Sequence, residues 1–293
     1  MASLVALTLP YTHLDLDRAL DGVAAAGFTA IGVGWPHQGV DPLGRGSGGS
    51  PGLVRRIADR GLQATVVGLG PAGGASRVDH LRRTIDAAHD LGAAVVQMPG
   101  VNSYRRFPDE PIDPAELRPE YQRYVAELAG LADDAAAAGV TLTLKPHSGN
   151  TGTGPLLAGV IAEIDHPAVR AAYDPGNVSF YEGLDPVTDI EPVLGMVASL
   201  VAKDHRGGRA HADFPRPGEG DVDFPQLFAR LRSTGFDGVV VVERVATRTA
   251  DLAYEAIGAL LVESRRHLRQ LLRQAAAFSV DHDGSTGRKG TPR

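Results

Sequence analysis

Lysine occurs at only three positions of this chain, 145, 203 and 289, among 29 basic residues, so each lysine asks for its own explanation. Lys145 closes the apolar run VTLTLK and is followed by Pro146 and His147; Lys203 closes SLVAK and is followed by Asp204 and His205. Two further apolar runs finish on a carboxylate, VRAAYD at Asp174 and GVVVVE at Glu243. Carboxylates at such positions can act as general bases, and ammonium groups beside them can stabilise negative charge that develops in a reaction. Glu243 and Asp174 are the candidate bases, Lys145 and Lys203 the candidate charge-stabilising partners, and His147 is placed to relay a proton or fix a hydroxyl. Tyr11, His13, Trp35 and His37 follow the first two apolar runs and could line a pocket, as could Asn177, Asp204 and His205.

Each of these residues also has a plain structural account. Asp174 before Pro-Gly could simply start a turn. His147 could be a satisfied loop histidine, and Trp35, the single tryptophan, could pack under a loop. His205, His211 and Glu219 lie in the polar stretch HRGGRAHADFPRPGEGD, where solvent exposure is expected. Lys203 and Asp204 could form a rim ion pair of little worth. Lys145 resists such an account, because a lysine on an apolar strand is costly unless paired.

The elements that must position these groups read as short β-branched runs alternating with longer Ala/Leu/Arg stretches. The expected strands are Leu4–Leu9, Phe28–Gly34, Leu62–Leu69, Ala93–Met98, Val140–His147, Val169–Asp174, Ser199–Asp204 and Val239–Glu243, with amphipathic helices such as Leu14–Ala26 and Arg77–Leu91 between them. Glycine recurs at helix exits, in AGF, RGL, LGA, AGV and TGF, where a left-handed residue stops the helix before the next strand. Eight strand–helix units fit an α/β fold of the (β/α)8 TIM-barrel type, a single domain over 1–274, in which reactive groups collect at the carboxyl ends of the strands. A doubly wound open sheet would want a phosphate-binding glycine fingerprint, and Gly44–Gly49 lacks its spacing, so that stretch reads as a flexible loop. Pro99–Pro119 is a long proline-rich excursion containing Tyr104, Arg105 and Arg106, of the kind that builds or covers barrel sites. Thr249–Gln274 reads as a long helix, and residues 275–293 read as a disordered tail containing Lys289.

With alternating side chains, Thr141, Thr143, Lys145 and His147 share one face while Leu142 and Leu144 turn to the helices; Ser199, Val201 and Lys203 likewise share a face. Composition narrows the function classes. The 293 residues carry a net charge of −6, the wrong sign for a nucleic-acid binder, and no cysteine for disulfides, thiolate metal sites or a thiol nucleophile. No apolar run has membrane-spanning length and MASLVALTLPYTH lacks a basic leader, so the expectation is a cytoplasmic protein without membrane or nucleic-acid partners.

The phrases YDPGN at 173–177, KD at 203–204, and GEGDVDF with GFDGVVVVE between Gly218 and Glu243 resemble the sugar phosphate isomerase/epimerase superfamily, the xylose isomerase-like barrels. The resemblance implies an enzyme on a sugar, keto-sugar or polyol-derived substrate, working by proton abstraction next to a carbonyl: isomerisation, epimerisation or elimination. It also implies a divalent metal held by Glu, Asp, His and Glu on strands five to eight. Asp174 and Glu243 match two of these; Lys145 stands at the strand-five glutamate, Val201 at the strand-seven histidine, and Asn177 where many members carry a further histidine. The balance of two carboxylates against two ammoniums favours no metal, with a weak Mn or Mg site on Asp174 and Glu243 as the alternative. Two other functions stay open: a Schiff-base lysine lyase or aldolase, and a non-catalytic sugar-binding barrel. A DNA-repair role is opposed by the charge. The partner implied is a small carbohydrate-like molecule, with homo-oligomerisation possible.

Overall fold

The computed structural model describes residues 2–44, 52–72 and 74–280, the last six by backbone alone. Most of the glycine-rich 44–49 stretch, and Lys289 with the rest of the chain after Val280, lie outside the described residues. Eight parallel strands close a barrel: Ser3–Leu7, Ala30–Val33, Gln63–Gly68, Val95–Pro99, Thr141–Lys145, Val169–Tyr173, Val197–Val201 and Val239–Val242. They pair in chain order, and the first closes on the eighth, with Ser3 opposite Val239 and Ala6 opposite Val242. Each strand overlaps its expected run, and most are shorter than expected; the first and seventh begin earlier in the chain, and the fourth ends later.

Two apolar layers hold the barrel. Val5, Leu7, Ala30, Val66, Val95, Val239 and Val241 fill its lumen. The alternate residues, among them Leu142, Leu144, Tyr173, Leu200 and Val240, pack outward against the helices. Thr143, inside with its hydroxyl donating to the Val96 carbonyl, confirms the expected parity of the fifth strand. Side chains at helix starts accept first-turn N–H groups: Asp15 from Arg18, Ser76 from Asp79, Thr153 from Leu156 and Asp223 from Gln226. At the exits, Gly27, Gly61, Gly92, Gly139 and Gly235 all take positive φ, as the five repeated tripeptides imply.

Three expectations are revised. The proline-rich excursion is only partly loop: an antiparallel hairpin, Tyr104–Arg106 with Glu110–Pro111, precedes a helix over Pro114–Ala137. Pro114 sits at the helix start, where its missing N–H costs nothing, and the Asp113 side chain accepts from Ala115; Pro119 is carried inside. The sixth unit has no long helix. Prolines at 175, 186 and 192 break it into the short turns Pro175–Asn177, Val178–Glu182, Pro186–Asp189 and Glu191–Met196. The last helix, Tyr254–Val280, starts after a separate turn at Thr249–Asp251 and runs six residues past the expected boundary. Among the described residues no helix is long and apolar enough to cross a membrane.

Candidate active site

Four consecutive strands deliver one charge each to the same place. Lys145 is the last residue of the fifth strand, Asp174 and Glu243 each follow the last residue of theirs, and Lys203 lies two beyond Val201. Lys145 Nζ donates to Glu243 Oε2 at 2.7 Å and lies 3.5 Å from Asp174 Oδ2. Lys203 Nζ reaches Asp174 Oδ2 at 2.9 Å, Glu243 Oε1 at 2.6 Å and Asn177 Oδ1 at 3.0 Å. Gln97, on the fourth strand, donates its amide to Glu243 Oε2 at 3.1 Å. The Asn177 backbone N–H donates to Asp174 Oδ1. Every oxygen of the two carboxylates is therefore already an acceptor.

The cluster rests on the apolar lumen, so its electrostatics are strong. Burial opposes the Glu243 charge, but Lys145 and Lys203 outweigh it and hold that carboxyl well below the usual glutamate range. Burial also opposes the Lys203 charge, and Asp174 and Glu243 overturn it, holding the ammonium above the usual lysine range. Asp174 is 0% exposed, Glu243 3% and Lys203 5%, whereas 12% of the Lys145 side chain is open. Lys145 is the member that a small molecule can reach.

The sixth strand's exit explains YDPGN. Asp174 caps the short turn, Pro175 starts it, and Asn177 donates its amide to the Pro146 carbonyl while accepting from Lys203. Gly176 is required by space: a Cβ there would stand 2.7 Å from the Lys203 carbonyl oxygen. Asn177, read from the sequence as a substrate contact, is thus a bridge inside the cluster.

His147 stands beyond the fifth strand with Nε2 at 2.8 Å from the Tyr181 hydroxyl and its ring 4.2 Å from the tyrosine ring. Burial, reinforced by the Lys145 and Lys203 charges, lowers its pKa to about 4, so the imidazole is neutral at neutral pH and shares a hydrogen bond with the Tyr181 hydroxyl. Tyr181 belongs to an aromatic wall in which Phe107 lies 4.9 Å and Phe180 4.8 Å from it. Arg209 fastens that wall, donating to the Tyr181 carbonyl and the Tyr104 hydroxyl while lying 5.2 Å over Phe107. Arg105 and Arg106 instead pair with Glu116 and Glu110 on the exposed side of the excursion.

Other expected site residues are engaged elsewhere. Lys203 and Asp204 go to different partners, so no rim pair forms. The Asp204 carboxylate accepts the backbone N–H groups of His205, Gly218, Gly220 and Val222, cinching the loop between them. His205 is buried between Phe180 and Phe214, with Nδ1 on the Ser179 hydroxyl and Nε2 on the His211 carbonyl. His211 and Glu219 are exposed, as that polar loop leads one to expect. His37 is buried with Nδ1 on the Leu14 carbonyl, His13 is half-buried, and Trp35 packs on the lumen layer over Gly68. A cleft of about 230 Å³ reaches Glu243 from the first-strand side, between Leu9, Thr12, Arg244 and Thr247.

Sequence reasoning missed Gln97, Tyr181 and Phe107. Gln97 carried a signal, being the one polar residue in AAVVQM and sharing inward parity with Val95. The two aromatics carried none, since loop packing alone brings them in.

The chain belongs to the xylose isomerase-like TIM barrel family, whose model matches residues 20–271. Among curated relatives, a protein named "Putative hydroxypyruvate isomerase" from Streptomyces coelicolor is 29% identical over 257 residues, covering 82% of this chain and 88% of that one. L-ribulose-5-phosphate 3-epimerase UlaE of Shigella boydii is 25% identical over 190 residues, 63% of this chain, and the match spans 62% of the relative's length. A solved L-ribulose 3-epimerase structure shares the fold, with a TM-score of 0.72 and 21% identity over 98% of this chain and 100% of that one.

The metal implied by the resemblance does not fit the residues present. A divalent ion needs several free anionic or imidazole donors. Here the carboxylate oxygens are taken, an ammonium stands at the fifth-strand position, and the seventh-strand position is the buried Val201. Among the described residues no three His, Asp or Glu side chains converge as a ligand set.

Proposed function

We propose that this protein is a carbohydrate isomerase or epimerase that moves a proton on the carbon beside a carbonyl of a small sugar-like substrate. The observation carrying this reading is the meeting of two carboxylates and two ammoniums at the ends of four strands, with the accessible Lys145 on Glu243. Relatives named as an isomerase and an epimerase support it. In the proposed step, Lys145 turns from Glu243 to the substrate's carbonyl oxygen. Glu243 then keeps Lys203 and Gln97 but loses its contact with Lys145, which raises its proton affinity. Glu243 takes the proton from carbon, the C–H electron pair forms the enediolate double bond, and the oxygen's charge rests on Lys145. The proton returns from Glu243 or through the Tyr181–His147 pair. Asp174 and Asn177 hold Lys203 in place throughout.

The same contacts disfavour a Schiff-base role. A nucleophilic amine wants apolar or cationic surroundings, and Lys145 has two carboxylates against it. On this reading the reaction runs in the cytoplasm, with a small carbohydrate as the protein's partner. The test is hydrogen exchange: the protein is incubated in D2O with hydroxypyruvate and a panel of ketopentoses and ketohexoses, and followed by NMR. Deuterium entering the carbon next to the carbonyl of one substrate, and not with Lys145→Met, is the expected result. Exchange with none of them, or exchange untouched by Lys145→Met, overturns the reading.

A further inference from the structure

The cluster is balanced without any ion. Asp174 and Glu243 bring two negative charges, Lys145 and Lys203 two positive ones, and all four meet within 3.5 Å contacts on an apolar floor. A divalent cation entering this space would leave a buried net charge of about +2 and would first have to displace an ammonium from each carboxylate. We infer that the Lys145 ammonium occupies the cation position of this barrel's site and takes over its electrostatic role, so that the protein holds no divalent metal there.

Two points set Lys145 apart from Lys203, and a third is common to both. Lys145 ends the fifth strand, where the resemblance implies a carboxylate, so the site has one anionic donor fewer and one positive charge more than that pattern. Like Lys203, it spans both carboxylates as a bound cation would, its nitrogen lying between Glu243 Oε2 and Asp174 Oδ2. It is also the more open of the two lysines, 12% against 6% of the side chain, so it can face a substrate oxygen. Lys203 is pinned on three sides by Asp174, Glu243 and Asn177. The exchange has a chemical consequence. An ammonium donates directed hydrogen bonds and has no coordination sphere to share, so this site grips one oxygen of the substrate with Lys145 and leaves its neighbour to protein side chains.

The role in polarising an oxygen rests on the proposed function, but the occupancy of the position is measured without substrate, so the two can fail separately. Native protein is soaked in manganese, magnesium and zinc salts, desalted and analysed for metal, and its thermal melting is recorded with and without manganese and EDTA. Lys145→Glu is treated in parallel; it sets three carboxylates against one ammonium, the net charge a divalent ion complements. The expected result is fewer than about 0.1 ions per native chain and melting indifferent to either addition, against about one ion per Lys145→Glu chain and a manganese-dependent rise in melting temperature of ~4 °C or more. Stoichiometric metal in the native protein overturns the inference. So does a Lys145→Glu variant that is folded by circular dichroism and takes up no metal. A variant that fails to fold leaves the decision to the native protein's metal content and its melting response.

Discussion

Lys145 and Lys203 touch the same two carboxylates from different surroundings, and the difference sorts their roles. Lys203 is enclosed and triply held; replacing it leaves two buried carboxylates facing one ammonium, and Lys203→Met is expected to lower stability as well as turnover. Lys145→Met removes the reachable cation. It is expected to cut turnover by about 100-fold or more while the fold survives, and to shift the acidic limb of the pH–rate profile upward, because Glu243 loses one of two charges that depress it. An unmoved acidic limb would separate Glu243 from proton transfer. His147 gives a pH prediction on stability. Its folded pKa of about 4 lies below the usual 6.5, so the unfolded chain binds the extra proton first. Stability from this group is full above 6.5 and is lost progressively as pH falls toward 4. The melting temperature should fall across that window, and His147→Gln should flatten that part of the slope; an unchanged slope would place the titrating group elsewhere.

At the scale of elements, the loop after the seventh strand is organised by one carboxylate. Asp204→Ala leaves four backbone N–H groups without their acceptor, three of them across the loop at Gly218, Gly220 and Val222. The expected cost is about 2 kcal/mol or more, with new tryptic cleavage at Arg206 or Arg209 in limited proteolysis. Resistance equal to the native protein would show that the aromatic contacts of His205 and Phe214 suffice. This loop also shows where sequence reading stops. Charges closing apolar runs are visible because strand parity and barrel geometry send them to one place, and Lys145, Asp174, Lys203 and Glu243 all arrive there. Asp204 is as charged as its neighbour Lys203, yet its partners are main-chain groups, most of them far along the loop at Gly218, Gly220 and Val222, which no side-chain pattern announces. Tyr181 is hidden for a similar reason: only the π-helical turn Val178–Glu182 brings its hydroxyl to His147.

For the whole molecule, barrel closure depends on the first strand, whose pairing with the eighth fixes the level of Glu243 against the rest of the cluster. Deleting residues 2–8 opens two sheet edges and uncovers the lumen, and the expected product is an aggregating chain rather than a weakly active one. A folded monomer from that deletion, judged by gel filtration and circular dichroism, would show that the helices alone hold the barrel. The four clustered charges come from positions 145 to 243, and the first four strands add only Gln97 to their hydrogen bonds. Inheritance can therefore treat the two halves differently. Changes in the early crossings, in the segments that follow the first and second strands, can alter that side of the barrel mouth without touching the four ions. On the proposed function, new substrate preferences are open to this lineage through drift or recombination in its amino-terminal half, while the carboxy-terminal half stays under the joint constraint of four mutually neutralising side chains.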